Sequence, residues 1–142
     1  MVMAKDAHLE HLASVPLFSA CSRKELERIA PVSDEISVPA GRVLTAQGDL
    51  GQECFVVVEG TVTVDRNGTK LATLGPGSCV GELALLDNGP RTATVTAASP
   101  LTVLVIQRNA FRELLDQVPS IAIKLLVSVA GRLREVDERA FG

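Results

Sequence analysis

The sequence predicts a mainly β protein: an antiparallel, eight-stranded, jelly-roll-like β-barrel with short N-terminal helices and two C-terminal helices. Short runs rich in Val and Thr, each closed by Gly, Pro, Asn or Asp, fill residues 35–107. Closely spaced short strands of this kind are typical of sandwiches and barrels. On either side of them the apolar residues recur at helical spacing. Because the chain has 142 residues, we expect a single domain over residues 1–142.

Two short helices are expected in residues 1–31. The first should run from His8 to about Pro16, because its apolar residues fall three apart on one face. The second should begin at Ser22, which is followed three residues later by Glu25 in a capping-box pattern. The apolar face of the first helix consists of Leu9, Leu12 and Val15.

Seven or eight strands are predicted between the two helical regions. Asn67-Gly68, between two alternating runs, is the strongest hairpin signal in the chain. The pattern predicts strands over 36–38, 42–46, 54–58, 61–64, 70–74, 92–97 and 101–106.

Two helices are predicted over residues 108–139, with a break at Pro119. The expected inner face of the first is Phe111, Leu114, Leu115 and Val118. The second carries apolar residues three, four and three apart, which is the a/d pattern of a coiled coil. This seam consists of Leu126, Val129, Leu133 and Val136. This seam is consistent with a helix that covers the barrel, and equally with one that also packs against the same helix of a second copy in a homodimer.

Composition excludes several classes of protein. A net charge of −3 argues against a domain that holds nucleic acid by its phosphates. No apolar run approaches the roughly 18 residues of a membrane span, and residues 1–10 lack the pattern of a signal peptide. Three separated cysteines without metal-site spacing fit a reducing compartment as small, mostly buried side chains. We therefore expect a cytoplasmic protein that binds neither nucleic acid nor membrane.

The residues of an enzyme or a metal site are also missing from the predicted strands. Both histidines, His8 and His11, precede the barrel and are interpreted as surface residues of a helix. A metal-dependent barrel enzyme needs several His or Glu ligands on its strands, and no Ser-His-Asp or Cys-His arrangement is evident there. We expect no catalytic activity, no metal and no cofactor.

One segment is explained by neither strands nor helices. Residues 75–91 are too long for a simple hairpin loop. The residues Glu82 to Leu86 favour a helical turn after the flexible Gly81. The N-terminus of such a turn presents free backbone N–H groups that can bind an anion. Arg91 adds a charged fork that fits phosphate, and the Glu82 carboxylate can accept from a sugar hydroxyl. The residues alone suggest a pocket for a phosphorylated sugar.

This segment also resembles a known motif. Gly81-Glu82-Leu83-Ala84-Leu85 followed by Pro90-Arg91-Thr92-Ala93-Thr94-Val95 is similar to the phosphate-binding cassette of the cyclic nucleotide-binding domain family. Its spacing is similar to that in regulatory subunits of cyclic-AMP-dependent kinase. Gly48-Asp49 and the stretch 54–62 resemble the family's strand–Gly–strand region, so the resemblance covers nearly the whole chain. The family often has Phe before the cassette glycine, where Val80 stands here, which should alter packing under the cassette.

The resemblance implies roles for the residues of the cassette, taken here as 81–94. Glu82 would accept from the ribose 2′-hydroxyl, and Arg91 would pair with the cyclic phosphate together with the backbone N–H groups of Leu83 and Ala84. Thr92 would reach the phosphate or a guanine amino group, and Gly81 would let the backbone turn beside the sugar. The purine cap would come from the last helix around Arg132 to Asp137, where the candidates are Val136 and Asp137.

The function that this implies is a stand-alone receptor for cyclic AMP or cyclic GMP, cyclic AMP being favoured. It would shift its last helix on binding and so regulate an unknown effector protein. Two alternatives remain open at this point. One is a protein that acts through dimerisation or protein contact without a physiological nucleotide, and the other is a fragment of a catabolite-activator-type transcription factor.

Overall fold

A computed structural model describes residues 2–141, with side chains for residues 8–140. The described residues contain eight strands in two antiparallel four-stranded sheets, ordered β1-β8-β3-β6 and β2-β7-β4-β5. The strands are β1 Ser33–Val38, β2 Val43–Thr45, β3 Glu53–Glu59, β4 Val62–Arg66, β5 Thr69–Leu74, β6 Cys79–Val80, β7 Thr94–Ala97 and β8 Leu101–Gln107. The predicted hairpin at Asn67-Gly68 joins β4 to β5.

The two sheets form an open β-sandwich, so the expectation of a closed barrel is wrong. Within residues 2–141, no strand ladder joins one sheet to the other. Each sheet therefore keeps two edges, and the edge strands β6 and β2 have only two and three residues, which limits the row of unpaired backbone groups. Alternation of apolar and polar residues is the same in a barrel and a sandwich, so the pattern could not distinguish them.

The two central strands of the first sheet, β3 and β8, are buried on both faces. Alternate residues of β3 and β8 belong to different cores, one under the helices and one between the sheets. Those under the helices are Cys54, Val56, Leu104 and Ile106, and those between the sheets are Phe55, Val57, Val103 and Val105. Burial on both sides explains why these strands are continuously apolar.

The N-terminal segment packs on the helical side of the first sheet. Helix α1 spans Val2–Ala13, and a 3-10 turn at Pro16–Phe18 follows it. The first predicted helix therefore ends earlier than expected, and the turn buries Leu17 and Phe18. Helix α2 spans Arg23–Ile29 and begins with the predicted capping box, in which Ser22 and Glu25 exchange hydrogen bonds. A further 3-10 turn at Ala30–Val32 leads into β1.

The C-terminal helices are α3, Arg108–Gln117, and α4, Pro119–Phe141. Pro119 is the first residue of α4, a position that tolerates proline because no N–H is needed there. Phe111 and Leu114 of the predicted inner face are buried, and Leu115 and Val118 pack against the same core. Among the described residues no single helix is long and apolar enough to cross a membrane. The helices α3 and α4 meet these two criteria only when they are taken together, and a bend of 113° separates them.

The predicted seam on α4 is mostly uncovered. Val129 packs against the helical core, whereas Leu126, Leu133 and Val136 have exposed fractions of 65%, 65% and 60%. The seam therefore does not serve mainly to cover the sandwich.

Candidate functional site

The cassette joins β6 to β7. Gly81 has a left-handed backbone conformation, φ +76°, and is followed by a 3-10 turn at Glu82–Leu85, which agrees with the predicted single helical turn. Glycine adopts this conformation without the strain that a Cβ would bring. Ala84 and Leu85 are buried, so the turn is anchored from below while its first residues face the cavity described below.

The backbone donors at this turn differ from those expected. The N–H group of Ala84 donates to the carbonyl oxygen of Gly81 at 3.0 Å, so it is already used. In a 3-10 turn the first two N–H groups have no partner inside the turn. The open donors at this end are therefore those of Glu82 and Leu83, and Ala84 would have to break its bond to contact an anion.

Arg91 is held from several sides. Its backbone N–H donates to Asp49 O at 2.7 Å, and its carbonyl oxygen accepts from Gly48 N–H at 2.8 Å. Its Nη2 donates to Glu53 O at 2.7 Å and to Glu53 Oε1 at 3.1 Å. The whole residue is only 9% exposed. Arg91 is therefore a nearly buried cation whose position is set by the segment that leads into β3.

Two glycines make room for this guanidinium. A Cβ on Gly51 would lie 2.1 Å from Arg91 Nε, and one on Gly81 would lie 2.1 Å from Arg91 Nη1. The group thus passes between two backbone segments that could not carry side chains there. Nη1 is buried and has no hydrogen-bond partner, which is costly for a charged donor. An acceptor at this position would remove that cost.

Glu82 has two partners outside the cassette. Its Oε2 accepts from the backbone N–H of Leu17 at 2.9 Å, and its Oε1 lies 3.0 Å from Nη2 of Arg132 on α4. The pair is an ion pair by distance, although Nη2 is not aligned as in a hydrogen bond. The Glu82 side chain is 16% exposed. The carboxylate therefore ties the cassette to both the N-terminal turn and α4.

These groups surround a cavity of about 310 Å³, here called the cassette cavity. Its lining includes the predicted site residues Gly81, Glu82, Leu83, Ala84, Arg91 and Thr92. The predicted candidates Val136 and Asp137 lie elsewhere, on a groove formed by α4 alone. Sequence reasoning did not single out Arg132, which lines the cavity, Gly51, which leaves room for Arg91, or Glu53, which accepts hydrogen bonds from it.

The middle of the cassette, just after the 3-10 turn, contacts α3. Arg108 Nη1 donates to Asp87 O at 3.0 Å and contacts Asn88 Oδ1. Arg112 Nη2 donates to Leu86 O at 2.8 Å. Two guanidinium groups thus satisfy carbonyl oxygens just after the 3-10 turn, so the cassette is tied to both C-terminal helices.

Two of the cysteines and one of the histidines each have a close polar neighbour. The Sγ atoms of Cys54 and Cys79 are 3.7 Å apart. That contact and burial raise the pKa of Cys79, which disfavours the reactive thiolate. His8 Nε2 lies 3.0 Å from Glu35 Oε1. Among the described residues, no group of three or more His, Cys, Asp or Glu side chains could hold a metal ion.

Known proteins share this architecture. Among solved structures, the N-terminal domain of a transcriptional regulator from Streptomyces coelicolor A3(2) superposes with a TM-score of 0.84 at 34% identity, covering 90% of this chain and 95% of that one. The catabolite activator protein of Thermus thermophilus gives a TM-score of 0.70 at 34% identity, covering 88% and 61%.

Curated relatives match in sequence as well. The cyclic AMP receptor protein of Thermus thermophilus is 34% identical over 127 residues, covering 86% of this chain and 59% of the relative. A cyclic nucleotide-gated potassium channel of Mesorhizobium japonicum is 38% identical over 111 residues, covering 78% and 31%. The chain thus spans less than two thirds of the length of these relatives. The model of the cyclic nucleotide-binding domain matches residues 35–118, more than half of the sequence. This chain belongs to the cyclic nucleotide-binding domain family.

Proposed function

We propose that this chain is a receptor module for a cyclic nucleotide, and that ligand binding changes the position of α4, which a partner protein then senses. The observation that carries the proposal is the unpartnered Nη1 of Arg91 beside the cassette cavity. A buried arginine with a free donor needs an acceptor, and a phosphate oxygen supplies one with the matching charge.

The cyclic phosphate would lie between Arg91 and the N-terminal end of the 3-10 turn. There the N–H of Leu83 would donate to a phosphate oxygen, and the turn's partial positive charge would add to the attraction. The N–H of Ala84 would join only if its bond to Gly81 O opened. Thr92, which is exposed on the cavity wall, would contact the phosphate or the base.

The ribose would lie against Glu82, whose carboxylate already contacts Arg132 of α4. A hydroxyl that donates to this carboxylate changes the charge felt by Arg132, so occupancy of the cavity and the position of α4 would be coupled. This link supports a sensor that acts by shifting a helix rather than by catalysis. Cyclic AMP is the favoured ligand, since the Thermus relative is a cyclic AMP receptor; cyclic GMP is the alternative. We place the module in the cytoplasm.

Isothermal titration calorimetry tests this proposal with cyclic AMP, cyclic GMP and, as a non-cyclic control, 5′-AMP. We expect heat with at least one cyclic nucleotide and a rise in melting temperature, since a ligand of the folded state stabilises it. Arg91→Ala should weaken binding by roughly 10- to 100-fold, because a charge-assisted contact is lost. Arg28→Ala, which removes an exposed charge on α2, is the matched control.

Circular dichroism must show that Arg91→Ala still folds, and Arg91→Lys gives a second variant that keeps the charge. Absence of heat and of thermal stabilisation with both cyclic nucleotides, at high micromolar folded protein, would contradict the proposal. That result would leave a protein that acts through contacts alone.

A second candidate function is homodimerisation through α4, either with or without nucleotide. The exposed seam residues Leu126, Leu133 and Val136 favour it, because such an apolar stripe is typical of a helix–helix interface. Sedimentation velocity should show a dimer that Leu133→Glu converts to a monomer. Leu71→Glu, at an exposed leucine on β5, should leave the dimer intact. A monomer at all accessible concentrations would exclude this candidate.

A further inference from the structure

Two cysteine thiols meet beside the cassette cavity. The Sγ atoms of Cys54 on β3 and Cys79 on β6 lie 3.7 Å apart, on two strands that pair directly with each other. Cys54 is fully buried, whereas Cys79 is half-buried and lines the cavity. A small molecule that enters the cavity can therefore reach one thiol, and the second thiol lies next to the first.

Both cysteines adjoin residues that set the geometry around Arg91. Cys54 directly follows Glu53, which accepts two hydrogen bonds from the Arg91 guanidinium. Cys79 lies two residues before Gly81, where a Cβ would fall 2.1 Å from Arg91 Nη1. A covalent bond between the two sulfur atoms would thus join two backbone segments that contact Arg91.

We propose that Cys54 and Cys79 form a redox-sensitive modification site, which a hydroperoxide oxidises to a disulfide that weakens cyclic nucleotide binding. The effect on binding rests on the proposed function, whereas formation of the disulfide does not. A thiol at the cavity wall with a second thiol behind it favours a disulfide over further oxidation, because the second thiol captures the oxidised sulfur of the first.

The reaction has two steps and consumes one hydroperoxide. The Cys79 sulfur, after loss of its proton, attacks a peroxide oxygen. The O–O bond breaks, Cys79 becomes a sulfenic acid, and the leaving oxygen takes up a proton to form water or an alcohol. The Cys54 sulfur then attacks the Cys79 sulfur, the S–O bond breaks, and the hydroxide leaves as water with the proton of Cys54. The two sulfur atoms lose two electrons in all, and these reduce the peroxide.

Formation of the disulfide requires a movement of β6. Bonded sulfur atoms lie about 2.0 Å apart, compared with 3.7 Å in the structure. β6 has only two residues, whereas β3 has seven and pairs with strands on both sides. β6 is therefore the strand that yields, and Gly81 follows it directly. A shift of Gly81 alters both the start of the 3-10 turn and its close approach to Arg91, which lowers the affinity for the nucleotide.

The chemical state of Cys79 sets the rate of oxidation. Contact with Cys54 and burial raise the pKa of Cys79, so the thiol form predominates at neutral pH and the nucleophilic thiolate is scarce. We therefore expect the disulfide to form slowly. Such a site responds to sustained exposure to hydroperoxide and ignores brief exposure.

Mass spectrometry of tryptic peptides, prepared without a reducing agent, tests the modification site. After prolonged treatment of the folded chain with hydrogen peroxide, peptide 43–66 should be linked to peptide 71–91, and dithiothreitol should separate them. Cys21→Ala should keep this link, and Cys54→Ala should lose it. Unlinked peptides in the treated wild-type chain, or a link through Cys21, would overturn the proposal.

Calorimetry of the reduced and the oxidised chain with cyclic AMP and cyclic GMP tests the effect on binding. The affinity should fall by about tenfold on oxidation and should recover on reduction, and circular dichroism must show that both forms are folded. Reduced Cys54→Ala should bind as the reduced wild type does, because Cys54 lies in the core under the helices. Its affinity should not change after peroxide treatment.

The outcomes separate this inference from the proposed function. Equal affinities of the linked and the reduced chain would overturn the effect of the disulfide and leave the proposed function standing. A reduced chain that binds neither nucleotide would overturn the proposed function itself, and the effect on binding with it. Loss of affinity in peroxide-treated Cys54→Ala would assign the effect to another oxidised group and contradict the role of the disulfide.

Discussion

Glu82 of the cassette and Arg132 of α4 form an ion pair, with 3.0 Å between Oε1 and Nη2. The second oxygen of the same carboxylate accepts from Leu17 N–H. One acidic side chain thus connects the cavity, the N-terminal turn and the C-terminal helix. The predicted sugar-binding group is therefore also the group through which α4 can respond to a ligand.

The first prediction separates binding from response. Arg132→Ala should change cyclic nucleotide affinity by no more than about fivefold, because a partly exposed ion pair contributes little. It should abolish the ligand-dependent change in amide hydrogen exchange of residues 132–140, since the link to Glu82 is gone. Arg134→Ala, two residues further along and on roughly the opposite face of the same helix, should keep that change. A normal exchange response in Arg132→Ala would contradict the coupling.

The second prediction concerns the space for Arg91. Gly51→Ala places a Cβ where the guanidinium now lies, so the group must move from its present position in the wall of the cavity. We expect the affinity for cyclic nucleotide to fall by about tenfold or more, measured by calorimetry. Gly75→Ala is the control, because nothing lies within 4 Å of its Cβ position. Wild-type affinity in Gly51→Ala would show that the position of Arg91 is not critical.

The third prediction concerns the core that supports the helices. The rings of Phe18 and Phe111 lie with centroids 5.6 Å apart, and both are buried. Phe111→Ala should lower the free energy of unfolding by about 3–5 kcal/mol, because it removes an aromatic ring and leaves a cavity. Phe111→Leu should cost much less. Urea unfolding measures both, and equal losses would contradict the cavity explanation and show that the aromatic ring itself is required.

The fourth prediction is a dependence of stability on pH. Glu25 accepts from Ser22 N–H, Lys124 Nζ and Ser120 Oγ, and these hydrogen bonds lower its pKa from 4.5 to about 2. A carboxyl group with a lowered folded-state pKa stabilises the protein above its unfolded pKa. This stabilisation is fully present above about pH 4.5 and is lost as the pH falls towards 2.

Glu25→Gln should therefore destabilise the protein near neutral pH and flatten the loss of stability between pH 4.5 and 2. Urea unfolding across this range is the measurement, and Glu113→Gln, at an exposed position on α3, is the control. An unchanged slope in Glu25→Gln would mean that other carboxyl groups cause the acid sensitivity.

Periodicity predicted most of the elements, because spacing along the chain reports which face of a helix or strand is apolar. The capping box at Ser22, the hairpin at Asn67-Gly68 and the break at Pro119 are local features, and the structure has each of them. β6 was missed because two residues carry no period. The predicted first helix ended too late, because the 3-10 turn at Pro16–Phe18 continues its apolar pattern.

The candidate site also contains some residues that the sequence predicted and others that only the structure revealed. Six predicted residues lie within the continuous segment 81–92, so the sequence alone placed them together, and they line one cavity. Val136 and Asp137 depended on where a helix lies relative to that cavity, and they line a separate groove. Gly51, Glu53 and Arg132 have no spacing signal, because they meet Arg91 and Glu82 through contacts distant in the sequence.

The sequence by itself determined a mainly β fold with flanking helices, seven of the eight strands that the structure describes, and the cassette, since each depends on residues close together along the chain. Only the tertiary structure decided that the sheets remain an open sandwich, that Arg91 is nearly buried with one donor free, and that Glu82 contacts α4. It also placed Cys54 beside Cys79. These features depend on which strand edges and helix faces meet, and that is set by packing of the whole core rather than by any local pattern.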